Sequence, residues 1–261
     1  MPKASSKKEP EIQERSPANN PSEIMDGLAN SIKRLRKQPL LVMFYYEYAG
    51  RISHEDVRDI YDEFRRRGWS RDSVKPKLDV LIHCYGGDAN ASYRVSQIIH
   101  DFADDVTFLV PYHATSGATL VSLGGSSIRL GAYAGLGPID ITMGGVELAS
   151  IDAFKEFARD CRREIEELLK TGDSDRTTEV ESVLLCEMVK QETALGIGSL
   201  YRTSSLTGHY AFRLLFDYMF KDHSNRQVLA QSIADQLLHT YPSHDFALDS
   251  AISHHAPRLG K

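Results

Sequence analysis

Short apolar segments alternate with helix-patterned segments through the first half of the chain. The apolar segments run from Pro39 to Tyr46, from Lys77 to Cys84 and from Val106 to His113. Each is a short continuous apolar run, which is typical of a buried strand. The segments between them carry apolar residues at helical spacing. This alternation predicts repeated βαβ units, and therefore an α/β fold with a mainly parallel sheet and helices on its faces.

The two intervening helices carry recognisable signals. The first, "SHEDVRDIYDEFRRRGW", opens on a candidate capping box in which Asp56 pairs with the N-cap Ser53, and Gly68 ends it. The second, "ANASYRVSQIIHDFAD", has apolar residues on one face. A helix of small residues is then predicted over Thr115 to Leu123, followed by a short strand, "SSIRLG".

The second half of the sequence is patterned almost entirely as helix. From about residue 146, a long charged helix, "SIDAFKEFARDCRREIEELLK", carries an apolar seam suited to another helix or subunit. Further helices are predicted at about 180–194, 206–221, 225–240 and 245–253. The sequence therefore predicts a helical C-terminal part attached to the α/β half.

The chain length and the termini suggest one folded domain between two tails. The 261 residues are 41% apolar, enough for a sizeable core. The start of the chain is rich in Pro, Ser, Glu and Lys, so residues 1–22 are predicted to be a disordered tail. The domain is predicted to cover residues 23–253, with a second tail over residues 254–261.

Charge and cysteine content narrow the functional classes. The net charge is −5 with both signs interleaved, which does not favour a nucleic-acid partner. No apolar run is long enough to predict a membrane span. Cys84, Cys161 and Cys186 lie far apart without CxxC or metal spacing. We therefore expect a cytoplasmic protein without a metal or cofactor.

The segment "HATSGATLVSLGG", from His113 to Gly125, follows the third predicted strand. Its small residues suit close packing of a helix on a sheet. They also place Ser116 near unpaired N–H groups at a helix start. Gly117 and either Gly86 or Gly87 could supply the two amides of an oxyanion hole. The serine is not in a G-x-S-x-G elbow, because alanines occupy both glycine positions.

Three motifs follow successive predicted strands: "YGGD", "HATSGAT" and "GLGPID". Together they resemble the serine dehydrogenase proteinase family, relatives of the Clp protease and signal peptide peptidase A. The resemblance covers roughly Pro39 to Ser253. It implies a Clp/crotonase-like spiral of βαβ units that assembles into homo-oligomers and acts on peptide or protein substrates. It also implies Ser116 as nucleophile, with the amides of Gly87 and Gly117 as oxyanion donors.

The general base is the open part of this prediction. In the resemblance, His244 and Asp245 match a histidine–aspartate pair of the family and would serve as base and orienting acid; the alternative is that they cap the last predicted helix. A lysine base would come from Lys155, Lys170 or Lys190. His113 and His83 lie near the proposed site in sequence, and Asp140 stands where Clp proteases place a histidine.

The sequence is compatible with three interpretations of the protein's function. The leading one is a serine peptidase that forms an acyl-enzyme on Ser116. The second is a catalytically weak or inactive oligomeric scaffold or binding protein, since the Clp position lacks its histidine. The third is an acyl-CoA enzyme of the crotonase branch, which would use the glycine amides and would give the serine no role.

Overall fold

A computed structural model of the protein describes residues 21–46, 50–139, 142–143, 146–169, 179, 182–184, 186–187, 194–241 and 248. The chain divides after Gln38 into two compact units. In the first unit, helix α1 spans Pro21–Arg36 and so begins two residues before residue 23, the predicted start of the domain. Residues 1–20 and 249–261 lie outside the described part, so the tails and the domain limits stay predictions.

The second unit is built on a four-stranded sheet in the order β1-β2-β3-β5, and every pairing in it is parallel. Its strands are β1 (Leu40–Phe44), β2 (Lys77–His83), β3 (Asp105–Val110) and β5 (Ser127–Leu130). The helices between them are α2 (His54–Arg66), α3 (Ala89–Phe102) and α4 (Gly117–Ser122). The predicted α/β class with a parallel sheet is confirmed.

Two further pairs of short strands lie in the described part of the chain. Strand β4 (His113–Ala114) pairs in parallel with β6 (Gly135–Leu136), and β7 (Thr142–Met143) pairs in antiparallel with β8 (Val146–Glu147). Strand β4 also meets the end of β2 through a bridge between Cys84 and Ala114. This bridge brings the segment that leads to Ser116 alongside the segment that follows β2.

The α2 capping box predicted from the sequence is present. Ser53 accepts a hydrogen bond from the Glu55 amide at 3.2 Å, and the Asp56 carboxylate accepts one from the Ser53 amide at 2.6 Å. Tyr45 donates a further hydrogen bond to the same carboxylate. The start of α2 is therefore tied to the residue that follows β1.

The core of the second unit lies between one face of the sheet and the helices. Val80, Phe108 and Val110 are fully buried on that face, and Ile99 of α3 is buried against them in the same cluster. Helix α2 packs on α3, and α3 packs on α4. The sheet and these helices thus form a rigid base for the segments that follow each strand.

The C-terminal part is helical, as predicted. It contains α5 (Leu148–Leu169), α6 (Ala194–Leu214) with a π-helical turn over Leu215–Met219, and α7 (Arg226–His239). The prediction that a helix begins at about residue 206 is wrong, because α6 already starts at Ala194. Gly196 and Gly198 lower helix propensity over this stretch and concealed the true start. None of the described helices is long and apolar enough to cross a membrane.

The helix predicted over residues 245–253 is wrong at Leu248, the one described residue of that segment. Leu248 instead pairs with Leu136 of β6 in an antiparallel bridge. The Leu248 amide donates to the Leu136 carbonyl at 2.7 Å, and the reverse bond is 3.1 Å long. A long-range backbone pairing of this kind leaves no periodic signal in the sequence.

Candidate active site

Ser116 lies immediately before α4 and has an uncommon backbone conformation. Its φ is 52° and its ψ is −120°, so it is not inside the helix as the sequence pattern predicted. A residue other than glycine held at such a φ costs about 1–3 kcal/mol and needs support from its surroundings. The support comes from both sides: the Thr115 amide donates to the Cys84 carbonyl at 3.1 Å, and the Leu120 amide donates to the Ser116 carbonyl at 3.0 Å.

The glycine pair after β2 contacts this serine. Gly86 and Gly87 have φ values of 121° and 156°. A β-carbon added to Gly86 would lie 2.9 Å from the Ser116 Cβ and 3.2 Å from its Oγ. A β-carbon added to Gly117 would lie 3.0 Å from the Gly87 nitrogen. The two motifs predicted to meet at the strand ends therefore do meet, with backbone against backbone.

The amides of Gly87 and Gly117 have no hydrogen-bond acceptor within the described part of the chain, whereas neighbouring amides are paired. The Gly86 amide donates to the Cys84 thiol at 3.4 Å, and the Ala118 amide donates to the Thr115 carbonyl at 3.0 Å. Buried or half-buried N–H groups are normally satisfied. These two amides, which lie beside the Ser116 hydroxyl, are therefore available as hydrogen-bond donors within the described part of the chain.

Ile52 fixes the glycine pair from the other side. Its amide donates to the Gly86 carbonyl at 2.9 Å, and its carbonyl accepts from the Asp88 amide at 2.9 Å. Ile52 is itself 1% exposed. The loop after β2 is therefore bonded on both flanks of Gly87, which holds the Gly87 peptide in one orientation.

Cys84 links the glycine loop to the serine segment. Its amide donates to the His113 carbonyl at 3.0 Å, and its carbonyl accepts from Thr115. Its thiol donates to the Gly86 carbonyl at 3.1 Å. Burial raises the pKa of the thiol, so it keeps the proton needed for this bond.

Small residues bring α3 and α4 close together. A β-carbon on Gly117 would lie 2.6 Å from the Ser92 Oγ, and one on Gly124 would lie 1.8 Å from the Ser96 Oγ. Both serines are fully buried. Larger residues at these positions would push the start of α4, and with it Ser116, away from the glycine loop.

The third motif, "GLGPID", also reaches this site. The Thr119 hydroxyl donates to the carbonyls of Ala114 and Gly137 at 2.7 and 2.8 Å. A β-carbon on Gly137 would lie 2.7 Å from the Thr115 Cβ. Thr119 thus joins the third motif to the segment that precedes α4, and Ile139 of this motif lines the site.

A cavity of about 180 Å³ opens beside Ser116. The residues that line it come from five separate parts of the chain: Arg51, Gly87, Asp88, Ala89, Ser116, Gly117, Leu120, Ile139, Thr203 and Thr207. Sequence reasoning found the three central residues and missed the others. The "GGD" motif contained a signal for Asp88, which is the N-cap of α3, but no local pattern points to Thr203 and Thr207 on α6.

The two histidines that precede Ser116 near the proposed site, His83 and His113, contact other residues and do not reach the cavity. His83 lies with its Nδ1 3.3 Å from the His113 amide nitrogen, and burial lowers its pKa. Its ring packs against Phe44, with centroids 4.8 Å apart. The His113 ring packs on Tyr112, with centroids 4.1 Å apart. Neither histidine lines the cavity.

The Lys155 ammonium is hydrogen-bonded to two side chains, one on α5 and one on α6. Its ammonium lies 3.0 Å from an Asp152 carboxylate oxygen and is hydrogen-bonded to the Tyr201 hydroxyl. These partners raise the pKa of Lys155, which keeps it protonated. A protonated amine cannot accept a proton from a serine.

The remaining base candidates fall on His244, Asp245, Lys170, Lys190 and Asp140, which lie outside the described residues. Within the described part of the chain, no side chain is hydrogen-bonded to the Ser116 hydroxyl. In the same part of the chain, no three His, Cys, Asp or Glu side chains are grouped as metal ligands would be. The identity of the base stays a prediction.

The fold and the site together define an α/β protein with a strained serine where the parallel strands end. Residues 52–176 match the family model described as the ClpP-like, SDH-type serine proteinases. This match contains both glycine motifs and Ser116. The resemblance predicted from the sequence is therefore confirmed for this segment, and a serine proteinase is supported at the level of the family.

The chain is also similar to individual proteins over part of its length. Two uncharacterised proteins of Methanocaldococcus jannaschii are 32% identical over 74 residues and 28% identical over 120 residues. These matches cover 28% and 46% of this chain, but only 25% and 40% of the relatives' own lengths. A point mutant of ClpP1 from Listeria monocytogenes matches with 15% identity and a TM-score of 0.31, over 57% of this chain and 82% of the other.

Proposed function

We propose that this protein is a serine peptidase in which Ser116 forms an acyl-enzyme with peptide substrates. The ClpP-like serine proteinase match over residues 52–176 supports this at the level of the family. The observation that carries the proposal is the position of Ser116 beside the unpaired amides of Gly87 and Gly117.

In the proposed reaction, the Ser116 Oγ attacks the peptide carbonyl carbon while its proton passes to a general base. The carbonyl oxygen takes the negative charge and accepts hydrogen bonds from the Gly87 and Gly117 amides. Collapse of this intermediate breaks the C–N bond, and the base returns the proton to the leaving amine. Water then releases the acyl group by the same route and restores the serine.

We propose His244 as the base, oriented by Asp245. Two observations on other candidates support this choice. Lys155 is protonated by its pairing with Asp152 and Tyr201, and His83 and His113 do not line the cavity. In addition, Leu248, four residues beyond His244 in the sequence, pairs with Leu136 on the strand that bonds to β4.

The volume of the cavity favours a peptide over an acyl-CoA substrate. Sites for drug-sized ligands measure about 300–1,000 Å³, whereas this cavity has about 180 Å³. It suits a single side chain next to the reacting carbonyl. An acyl-CoA enzyme of the crotonase branch would also give Ser116 no role in the reaction.

A fluorophosphonate probe tests the proposal, because it reacts with activated serines. We expect the wild type to be labelled and Ser116→Ala to be unlabelled, with Ser205→Ala, an exposed serine on α6, labelled like the wild type. His244→Ala should slow labelling by at least about 100-fold, the lower range for a general base. Light scattering on the same samples tests the homo-oligomer that the resemblance implies.

Absence of labelling in a folded, assembled wild type would overturn the peptidase and favour the scaffold reading. That reading has one observation in its favour, since no described side chain is hydrogen-bonded to the Ser116 hydroxyl. Acyl-CoA turnover that survives Ser116→Ala would instead favour the crotonase branch.

A further inference from the structure

We propose that the cavity beside Ser116 selects the residue on the acyl side of the cleaved bond, that it admits compact aliphatic side chains, and that Thr207 limits its depth. The inference rests on the proposed peptidase function and names its substrate class. Helix α6, which carries Thr207, lies outside the segment that matches the family model. This determinant therefore belongs to the helical part of the chain.

The position of the cavity determines which substrate residue it receives. It borders Ser116, Gly117 and Gly87. A carbonyl whose carbon lies at the Ser116 hydroxyl and whose oxygen lies at the two glycine amides has its α-carbon beside the cavity mouth. The side chain on that α-carbon belongs to the acyl residue, and the leaving amine points away from it.

Part of the cavity wall is apolar. Leu120 and Ile139 are each 1% exposed and present hydrocarbon to the cavity. Ala89, at the start of α3, adds a methyl group. Such a wall favours an aliphatic side chain through the apolar area that both surfaces remove from water.

The hydroxyls of the two threonines donate along their own helix. The Thr203 hydroxyl donates to the Ser199 carbonyl at 2.9 Å, and the Thr207 hydroxyl donates to the Thr203 carbonyl at 3.0 Å. Each hydroxyl proton is thus already used, so neither can donate to a substrate. Neither threonine therefore offers a donor to a hydroxyl or amide group of the substrate.

Charged groups lie at the mouth of the cavity. The side chains of Arg51 and Asp88 are exposed. The Asp88 carboxylate accepts a hydrogen bond from the Ala91 amide at 2.7 Å and lies 3.7 Å from the His54 Nε2. A charged substrate side chain that entered the cavity would pass these groups and lose its water at an apolar wall, which is unfavourable.

The depth of the cavity is set by a residue that has little freedom to move. Thr207 is 2% exposed and lies on a helix that packs against α3 and α7. One methylene group gained or lost in an apolar pocket changes kcat/KM by about 10- to 200-fold. Changes in side-chain size at position 207 should therefore change which acyl residue is preferred.

The test uses peptidyl coumarin amides that differ only in the acyl residue, so that the leaving group stays constant. For the wild type, we expect valine or leucine to give a kcat/KM at least about 10-fold above lysine, glutamate and phenylalanine. Thr207→Ala should raise the ratio of phenylalanine to valine by about 10-fold or more, and Thr207→Leu should shift the preference towards alanine. Leu206→Ala, an exposed position on the same helix, is the matched control and should leave the ratios unchanged.

A flat acyl-residue profile in an enzyme that the fluorophosphonate labels at Ser116 would overturn this inference and leave the peptidase standing. Binding of the same peptides to Ser116→Ala needs no nucleophile, so it tests the cavity even if labelling fails. Stronger binding of aliphatic than of charged peptides there supports the inference, and no binding of any peptide overturns it. If Thr207→Leu does not fold, Thr207→Ala decides the question of depth.

Discussion

The backbone of Gly87 lies so close to that of Ile52 that a β-carbon at position 87 would be 2.3 Å from the Ile52 carbonyl oxygen and 2.5 Å from its nitrogen. The φ of Gly87, 156°, is also one that other residues rarely adopt. Only glycine fits here without moving the strand-end segment that holds it.

We predict that Gly87→Ala abolishes the proposed activity by displacing one oxyanion donor. Loss of a single donor of this type costs about 100- to 1,000-fold in kcat, and the backbone strain should cost about 1–3 kcal/mol of stability. Labelling rate and thermal unfolding measure the two effects.

The matched control for this prediction is Gly198→Ala on α6. A β-carbon at Gly198 meets nothing within 4 Å, and alanine in a helix is more stable than glycine by about 0.5–1 kcal/mol. The same substitution should therefore stabilise the protein at position 198 and leave labelling unchanged. Equal effects at both positions would contradict the role given to Gly87.

The sequence was sufficient to predict the elements whose signal lies in residues that are close together in the chain. Lys77 to Cys84 predicted β2, which ends at His83, and Ser53 with Asp56 predicted the capping box of α2. Both signals arise from residues that are neighbours in the chain. The Gly86–Gly87 pair was likewise found from its place after a predicted strand.

The parts that could not be predicted depend on contacts between distant residues. Ile52 holds the glycine loop through its backbone, which every residue type possesses, so its side chain gives no signal. Thr203 and Thr207 reach the cavity from a helix 87 and 91 residues beyond Ser116. The positive φ of Ser116 was also missed, because small residues around it favoured a continuous helix.

We predict that Cys84 positions the glycine loop through its thiol. Cys84→Ala removes the hydrogen bond to the Gly86 carbonyl, and Cys84→Ser replaces it with a hydroxyl. A net hydrogen bond is worth about 1 kcal/mol, so we expect kcat to fall about fivefold in the alanine variant, with KM little changed. The serine variant should recover most of the loss.

Affinity for a peptide aldehyde separates this role from a general loss of stability. The aldehyde adduct on Ser116 places an oxyanion at the glycine amides, so its binding should weaken in parallel with kcat. Val106→Ala, a buried change on β3, lowers stability without touching the loop and should leave aldehyde affinity intact. Weakening of equal size in Val106→Ala would contradict the positioning role.

We predict that Lys155 takes no part in the activation of Ser116. Because its ammonium is paired with Asp152 and Tyr201, Lys155→Met should leave the labelling rate of Ser116 within about twofold of the wild type. The pair is partly exposed, so its loss should cost at most about 1 kcal/mol of stability. A loss of labelling in folded Lys155→Met would return this lysine to the role of base.

His100 predicts how stability depends on pH. The ring donates a hydrogen bond from Nε2 to the Gly124 carbonyl and stacks on Tyr218 with centroids 3.6 Å apart. Burial lowers its pKa from 6.5 to about 4, although the hydrogen bond to the Gly124 carbonyl acts in the opposite direction. Lys221 and Lys75 add smaller effects that lower the pKa, and Asp104 adds one that raises it. The folded protein therefore keeps this histidine neutral at pH values where the unfolded chain binds a proton.

The sign of the effect follows from that difference in proton binding. The contribution of His100 to stability is complete above about pH 6.5 and declines as the pH falls towards about 4, by about 3 kcal/mol in total. Denaturant unfolding at pH 7, 6, 5 and 4 measures this slope. His100→Gln keeps a donor for Gly124 but does not titrate, so its stability should decline less steeply over this range, and an unchanged slope would show that other groups cause the acid sensitivity.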